Sequence, residues 1–335
     1  MLPKAADYVK GLFKSEKKRG SCVGVAHSIG SQNNQRINHL ISDSPWDHKR
    51  VLVHLANNVS RQFASHSLLE GEETALLFDE VGFRKKGDQS ACCSHQYLGC
   101  IGKHDTGQVA VASALSASRH YCPIDLELFM PKCWEEDIER RGKAKIPDDI
   151  THRTKPQMAW DMLNKLRSEG IAFDYVNFDA LYGSNLGLLH NINKEGIAFI
   201  GDVRSDITVF LNEPQFYFPE KQTNMGRKHK HPKTDEQTIS LKDYQNQLSR
   251  DDFSKLSVRQ STKGQVIARF HKKDIWVGVD KYNRTIIRLT LLIRIDKDGT
   301  VKYSFSNTND LSIEQLAKRQ AQRVFVERVF EEGKN

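Results

Sequence analysis

The sequence predicts an α/β protein with a mixed sheet, flanking helices, an N-terminal helical region and a β-rich insertion. The first observation is helical periodicity in a polar stretch from residue 1 to about 70. The second is the alternation of short apolar strands with helices between Thr74 and Val203. The third is a turn-rich stretch with apolar strands from 205 to about 300. We therefore expect three parts, which are a helical region (1–70), an α/β domain (71–204 and 301–335) and the insertion (205–300).

The first elements are predicted to be helices followed by a strand meander. An amphipathic helix is expected over Val51 to Phe63, where apolar residues recur at helical spacing. TALLF, which begins at Thr74, is typical of a short buried strand. The segment GDQSACCSHQYLGCIGKHDTGQVAVASALSA predicts two further strands joined by a turn at Lys103 to Gly107. Three strands in succession indicate a meander.

A β-α-β-α-β pattern follows the meander. Its first helix has Thr154 as a candidate N-cap, an apolar face, and Gly170 at its C-terminal end. The strand DYVNFD comes next, then a helix over about Asn185 to Lys194, and then a strand at Ala198 to Val203. This alternation predicts a mixed sheet.

The last third combines the insertion with a C-terminal helix. DIWVGVD and RTIIRLTLLIRID are predicted strands of the insertion, and NMGRKHKHPK within it is a dense basic run. That run fits a solvated loop as well as it fits a contact with DNA phosphates. The final helix begins at a capping box of Ser312 and Gln315 and carries apolar positions to the end of the chain.

Charge and hydropathy narrow the classes of partner. The chain carries 50 Lys and Arg against 42 Asp and Glu, a formal net charge of +8. This balance favours a polyanion but leaves DNA, RNA and membrane surfaces open. The apolar runs fall far short of the roughly 20 residues that cross a bilayer, and the N-terminus lacks the apolar core of a secretory signal. We therefore expect a cytoplasmic protein with no membrane partner.

Two acidic residues stand where predicted strands end. TALLF leads into Asp79, and YVNF leads into Asp179. If the two strands are parallel neighbours, their ends lie about 4.8 Å apart and the carboxylates converge on a space that fits a metal ion. A single strand-terminal Asp is more often a turn former or a helix cap, so the prediction depends on the pair.

A third acid, Glu327, lies on the C-terminal helix between two basic residues. Arg323 precedes it by four residues and Lys334 follows it by seven, spacings that place all three side chains on one helical face. A solvated Arg–Glu pair would explain this stripe as a surface feature. The surrounding residues make the helix apolar on nearly all sides, which favours a functional stripe.

Taken together, these motifs resemble the DDE transposases of bacterial insertion sequences, the cut-and-paste class with a ribonuclease-H-like catalytic domain. The resemblance runs through ISDSPWDH, FDEVGFRKKGDQS, QYLGCIGKHDTGQVAVA, LFMPKCWEED, KPQMAW and NFDALYG. It ends with Q-AQ-R-VFV-E-RVFEEG-K, which is similar to the Tyr-x2-Arg-x3-Glu-x6-Lys signature of that superfamily. The resemblance implies a ribonuclease-H-like mixed sheet and a catalytic, metal-binding triad of Asp79, Asp179 and Glu327.

The resemblance also implies a chemistry and its cofactor. The triad would hold two Mg²⁺ ions, for which Mn²⁺ substitutes, and would catalyse DNA cleavage and strand transfer. The expected DNA contacts are Lys85, Lys86, Tyr182, Arg323 and Lys334. Lys85 and Lys86 fit a salt-bridged surface loop equally well.

The expected partner is double-stranded DNA, both transposon ends and target, bound by a homodimer. We assign recognition of the ends to the N-terminal region with its Lys17, Lys18 and Arg19 cluster. Such an enzyme would be cytoplasmic and nucleoid-associated in a bacterium.

Two departures from the family pattern leave alternatives open. Gln320 stands where the signature has Tyr, which predicts a weaker DNA contact. The chain stops at Asn335, one residue after Lys334, whereas relatives generally continue for several helical turns. The alternatives are an inactive, truncated DNA-binding remnant that acts as an inhibitor, and a ribonuclease-H-like nuclease that does not join DNA.

Overall fold

The computed structural model describes residues 2–15, 21–31, 33–45, 47–218, 231–261, 264–280 and 285–334. Contacts divide the chain into two compact units, one of residues 1–54 with 330–335 and one of residues 55–329. The predicted three-part division stays a prediction. Among the described residues, no helix combines the length and the apolar character needed to span a bilayer.

Helices dominate the first 70 residues and flank the strands thereafter. Within the described residues they are α1 (Leu2–Lys14), α2 (Cys22–Ser28), α3 (Gln35–Ser42), α4 (His48–Glu70), α5 (Lys132–Glu136), α6 (Ile138–Lys143), α7 (Lys155–Ser168), α8 (Ala180–Gly183), α9 (Leu186–Lys194), α10 (Leu241–Gln247), α11 (Ile313–Ala321) and α12 (Val324–Lys334). The mixed α/β class predicted from the sequence is therefore confirmed.

The strands belong to one large mixed sheet. They are β1 (Thr74–Arg84), β2 (Ser94–Leu98), β3 (Lys103–Ala117), β4 (His120–Leu128), β5 (Tyr175–Phe178), β6 (Phe199–Val203), β7 (Thr208–Phe210), β8 (Thr238–Ser240), β9 (Ser254–Ser261), β10 (Gly264–Gly278), β11 (Ile286–Ile295) and β12 (Val301–Ser306). The order is β2-β3-β1-β5-β6-β12-β11-β10-β7-β8, with β4 on β3 and β9 on β10.

The centre of the sheet is its parallel part. β1 pairs in parallel with β5, and β5 pairs in parallel with β6. β1 begins with five buried residues and all of β5 is buried, as expected for strands covered on both faces. Helix α7 supplies part of that cover through Met158, Met162 and Leu163. The strands of the predicted insertion continue the same sheet, because β12 pairs with β6 on one side and β11 on the other.

The helix and strand boundaries around β5 agree with the sequence. Thr154 caps α7 in a capping box with Gln157, and Gly170 follows the helix with a φ of 74°, a conformation that glycine adopts without strain. The predicted helix after β5 is α9, which Asn185 caps. The predicted capping box of Ser312 and Gln315 is also present, at the start of α11.

The predicted turn at Lys103 to Gly107 is wrong. Those residues lie in β3 and pair with β2, while the chain reverses at Gly99–Ile101 and at Gly102, whose φ is 64°. The glycine in the left-handed region, rather than the later Asp-Thr-Gly sequence, determines where the hairpin turns.

The predicted single C-terminal helix is interrupted between α11 and α12. The Asn177 side chain donates a hydrogen bond to the Arg319 carbonyl at 2.7 Å, and this acceptor is the one that the Arg323 amide would use in a continuous helix. The Arg323 amide instead bonds the Gln320 carbonyl at 3.3 Å. A tertiary hydrogen bond therefore accompanies the break.

Candidate active site

The predicted pair of carboxylates lies at the carboxyl ends of two neighbouring parallel strands. Phe78 of β1 pairs with Phe178 of β5. The next residue along β1 is Asp79, and the residue that follows β5 is Asp179. β5 ends there, whereas β1 continues to Arg84 alongside β3. The separation of the two chain segments beyond this point leaves space for both side chains.

A third carboxylate joins them, and it is Glu80 rather than Glu327. Oxygen atoms of Asp79, Glu80 and Asp179 all lie within 4.8 Å of one another. Among the described residues, these three acidic side chains form the group that could hold a metal ion. An oxygen-only donor set suits a hard divalent cation such as Mg²⁺ or Mn²⁺. Sequence reasoning missed Glu80, although its signal is the second acid of the FDEVG motif.

Two basic side chains contact this acidic cluster of Asp79, Glu80 and Asp179. Lys155, at the start of α7, pairs with Glu80 at 2.7 Å. Arg323 places one guanidinium nitrogen 3.7 Å from an Asp79 oxygen and the other 3.1 Å from a Glu327 oxygen. The C-terminal signature thus places Arg323, and not Glu327, beside Asp79.

Glu327 lies at the surface, with 56% of its side chain exposed. Beside it is a small recess of about 100 Å³, whose cationic lining is Arg259, Arg294, Lys302 and Arg323. Burial, together with the nearby charges of Arg328 and Arg294, lowers the pKa of Arg259. The recess therefore concentrates positive charge next to Glu327.

Burial raises the pKa values of the two aspartates at the strand ends. Burial raises the pKa of Asp79 to about 7, with a further contribution from the charge of Asp179, against the opposing effect of Arg323. Burial likewise raises the pKa of Asp179, while Arg323 lowers it. Burial at the strand ends therefore disfavours the charged form of Asp79 and of Asp179.

Asp179 begins the short helix α8 and accepts hydrogen bonds from the Leu181 and Tyr182 amides. The close approach of this turn to β6 depends on Gly183, because a Cβ there would lie 2.0 Å from the Asp202 carbonyl oxygen. Packing against β6 thus fixes the backbone that carries Asp179.

Tyr182, a predicted DNA contact, is fully buried in this turn. Its hydroxyl has no hydrogen-bond partner among the described residues. Burial and the charges of Glu80, Asp179 and Asp79 raise its pKa well above the ordinary value, which places the hydroxyl within electrostatic range of all three carboxylates. Its burial leaves no surface for a DNA phosphate.

Two other predicted DNA contacts, Lys85 and Lys86, lie apart from the acidic cluster. Lys85 and Lys86 follow the end of β1, six and seven residues beyond Asp79, which is about 20 Å along an extended strand. The Lys334 side chain, the cluster of Lys17, Lys18 and Arg19, and most of the basic run NMGRKHKHPK lie outside the described residues.

Gln320, which stands where the signature has Tyr, is a buried residue of α11. It is 5% exposed, and its amide donates to the Ser304 hydroxyl at 2.5 Å and to Asp202 at 3.4 Å. The residue that replaces the signature tyrosine therefore attaches α11 to the sheet.

Comparison with known proteins connects this geometry to a family. The model of the DDE superfamily endonucleases matches residues 3–265, a range that includes Asp79, Glu80 and Asp179 but not Glu327. The chain is also similar to a probable transposase for insertion sequence element IS701 from Microchaete diplosiphon, with 29% identity over 193 residues. That alignment covers 57% of this chain and 46% of the relative, so the chain spans about half the length of the curated relative. Because the family match covers well over half of the residues, the chain belongs to the DDE superfamily endonuclease family.

Proposed function

We propose that this chain is the DNA-cleaving and DNA-joining enzyme of an insertion sequence. The observation that supports the proposal is the convergence of Asp79 and Asp179 at the ends of two adjacent parallel strands, in a chain of the DDE endonuclease family. The similarity to a probable insertion-sequence transposase favours transposition over a general nuclease activity.

The family implies a divalent metal ion, and the oxygen donors fit Mg²⁺. Two bound Mg²⁺ ions, or Mn²⁺ in their place, would activate the attacking oxygen and stabilise the leaving oxygen during phosphoryl transfer. Asp79 and Asp179 would hold them, with Glu327 as the third acid of the triad. In the part of the chain that the structure describes, Glu327 forms an i, i+4 pair with Arg323, and 56% of the Glu327 side chain is exposed. Such a pair is worth about a few tenths of a kcal/mol. Its carboxylate can therefore exchange that partner at low cost.

Basic residues near Glu327 fit the phosphates of the DNA. Arg323, with the recess lined by Arg259, Arg294 and Lys302, would orient the strand beside the acidic cluster by charge-assisted hydrogen bonds. Lys85 and Lys86 would contact phosphates farther along the duplex. Double-stranded transposon ends and target DNA are the proposed substrates, and a homodimer that pairs two ends is the proposed assembly.

The test is a cleavage and strand-transfer assay on plasmid DNA that carries the ends of the element, with Mg²⁺ or Mn²⁺. Asp79→Asn, Asp179→Asn and Glu327→Gln should each reduce cleavage by at least about 100-fold, since each removes a metal ligand. Their DNA affinity should persist. Glu139→Gln is the matched control, because Glu139 forms an exposed pair with Lys143.

The products separate the proposal from its alternatives. Cleavage without joined product would identify a nuclease that does not transpose DNA. DNA binding without cleavage by the unsubstituted chain would identify an inactive, inhibitory remnant. Wild-type cleavage by Asp79→Asn would show that the chemistry occurs elsewhere.

A further inference from the structure

Two polar groups on the segments that carry Asp79 and Asp179 are not used by the triad of Asp79, Asp179 and Glu327. One is the Glu80 carboxylate, which lies within 4.8 Å of the Asp79 and Asp179 oxygens. The other is the Tyr182 hydroxyl, which is buried and unpaired among the described residues. Both groups belong to short segments that carry the catalytic aspartates, and neither is explained by packing alone.

The unpaired hydroxyl is the more informative of the two. A buried polar group without a partner costs about 1–3 kcal/mol, so nearly all such groups in proteins have a partner. The Tyr182 side chain is 0% exposed, and its turn is held against β6 by the close contact of Gly183 with Asp202. The ring therefore cannot leave its position easily to reach solvent. A ligand bound near Glu80, Asp179 and Asp79, whose charges act on this hydroxyl, would supply its partner.

We propose that Glu80 and Tyr182 complete a metal site in the DNA-free chain, Glu80 as a third carboxylate ligand and Tyr182 as a hydrogen-bond donor to a water held there. This inference rests on the proposed function, because it assumes that Asp79 and Asp179 bind the divalent ion. Tyr182 is a positioning residue: the chain uses its hydroxyl to fix a water molecule, and the phenol itself does not touch DNA.

Glu80 is better placed for this role than Glu327 before DNA binds. Glu80 is 21% exposed and paired with Lys155, which is equally enclosed, whereas Glu327 is 56% exposed and paired with Arg323. Arg323 stands between Glu327 and Asp79, since its two terminal nitrogens contact one acid each. The DNA-free ion would thus be held by β1 and β5, and Glu327 would join only afterwards.

The experiment is Mn²⁺ titration of the whole chain without DNA, followed by electron paramagnetic resonance of free Mn²⁺. Asp79→Asn is the reference for loss of the site. Glu80→Gln should weaken Mn²⁺ binding by about 10-fold or more, and Tyr182→Phe by about 10-fold, the effect of losing a group that orients a ligand. The surface control Glu139→Gln should bind Mn²⁺ as the wild type does.

Thermal unfolding without metal distinguishes a metal-site role from a structural one. Tyr182→Phe removes only the unpaired oxygen, so the metal-free variant should be as stable as the wild type or more stable. Tyr244→Phe is the matched control, because that buried tyrosine has a partner, His271, at 3.0 Å. It should lower stability and leave Mn²⁺ affinity unchanged.

Each outcome bears on a named part of the proposal. Wild-type Mn²⁺ affinity in Glu80→Gln overturns the ligand role, and wild-type affinity in Tyr182→Phe overturns the positioning role. If both bind normally while Asp79→Asn does not, the proposed function survives and this inference fails. If Asp79→Asn also binds normally, the assignment of Asp79 as a metal ligand fails together with this inference. If the wild type shows no saturable binding without DNA, this inference fails, and the cleavage assay alone decides the proposed function.

Discussion

The two halves of the candidate active site are held in different ways. Asp79 and Asp179 follow paired strands in the centre of the sheet, and Asp79 is only 13% exposed. Glu327 lies on α12, beyond a break in the helix, with 56% of its side chain exposed. The first half is fixed by backbone pairing and burial, and the second depends on how α11 attaches to the sheet.

Residues that are proposed to share a catalytic role therefore have different structural support in this chain. At the strand ends, burial disfavours the charged form of Asp79 and raises its pKa to about 7. Glu327, by contrast, is 56% exposed and pairs with Arg323 at the surface. Changes to the first half should therefore alter metal binding and stability together, whereas changes to the second should separate activity from metal binding.

We expect the largest effect from a substitution that separates the turn carrying Asp179 from β6. Gly183→Ala would place a Cβ 2.0 Å from the Asp202 carbonyl oxygen, so either α8 or β6 must move. We expect a loss of about 3 kcal/mol or more in the free energy of unfolding, measured by urea denaturation. Mn²⁺ affinity should fall as well, because Asp179 and Tyr182 belong to the displaced turn.

Gly142→Ala is the control for this substitution. Gly142 lies in α6, and no atom outside its own helix turn lies within 4 Å of the position that an added Cβ would take. Alanine there should be neutral or stabilising by up to about 1 kcal/mol. Wild-type stability in Gly183→Ala would mean that the turn has room to relax, and that β6 does not fix Asp179.

We expect a smaller effect when the ion pair between Arg319 of α11 and Glu73 is removed. Arg319 is 8% exposed and pairs with Glu73, just before β1, through two guanidinium nitrogens. Glu73→Ala leaves this buried cation without its carboxylate and should cost about 2 kcal/mol in urea denaturation. Because α11 leads to α12, DNA cleavage should fall while Mn²⁺ affinity in the DNA-free chain stays at the wild-type value.

An exposed ion pair serves as the control for Glu73→Ala. Glu139→Ala removes the partner of Lys143, where both side chains are at least 71% exposed, and should cost only a few tenths of a kcal/mol. An equal loss in the two variants would contradict a special role for the Arg319–Glu73 pair. A parallel loss of Mn²⁺ affinity in Glu73→Ala would contradict the independence of the two halves.

The strand-end half was largely predictable from the sequence, for a physical reason. Apolar runs that end in Asp79 and Asp179 predict strands, and parallel strands bring their carboxyl ends to one edge. Glu80 was missed because neighbouring residues of a strand point to opposite faces, which argues against a shared site for Asp79 and Glu80. Only the three-dimensional structure shows that their oxygens meet.

The helical half was less predictable, because it depends on contacts between distant residues. The interruption between α11 and α12 coincides with a hydrogen bond from Asn177 to the Arg319 carbonyl, 142 residues away in sequence. Helical periodicity carries no information about such a bond. The same holds for Tyr182, whose burial depends on the contact of the neighbouring Gly183 with Asp202 and not on any local pattern.

The smallest expected effect is a pH dependence of stability in the metal-free chain. The pKa of Asp79 is raised from 3.8 to about 7 in the folded state, so between these values the folded chain holds a proton that the unfolded chain has lost. The stability that this proton confers is present at low pH and is lost as pH rises through about 7. Asp79→Asn removes the titration and should be more stable than the wild type by about 1–2 kcal/mol at pH 8.

Thermal unfolding of both proteins at pH 5.5 and pH 8, with chelator, measures this difference. The advantage of Asp79→Asn should shrink at pH 5.5, where the wild-type carboxyl is protonated in the folded state. Saturating Mn²⁺ at pH 8 should raise the melting temperature of the wild type and leave that of Asp79→Asn unchanged, since binding to the folded state alone stabilises it. A constant stability difference across this pH range would show that Asp79 is ionised throughout. Burial at the strand ends would then not raise its pKa.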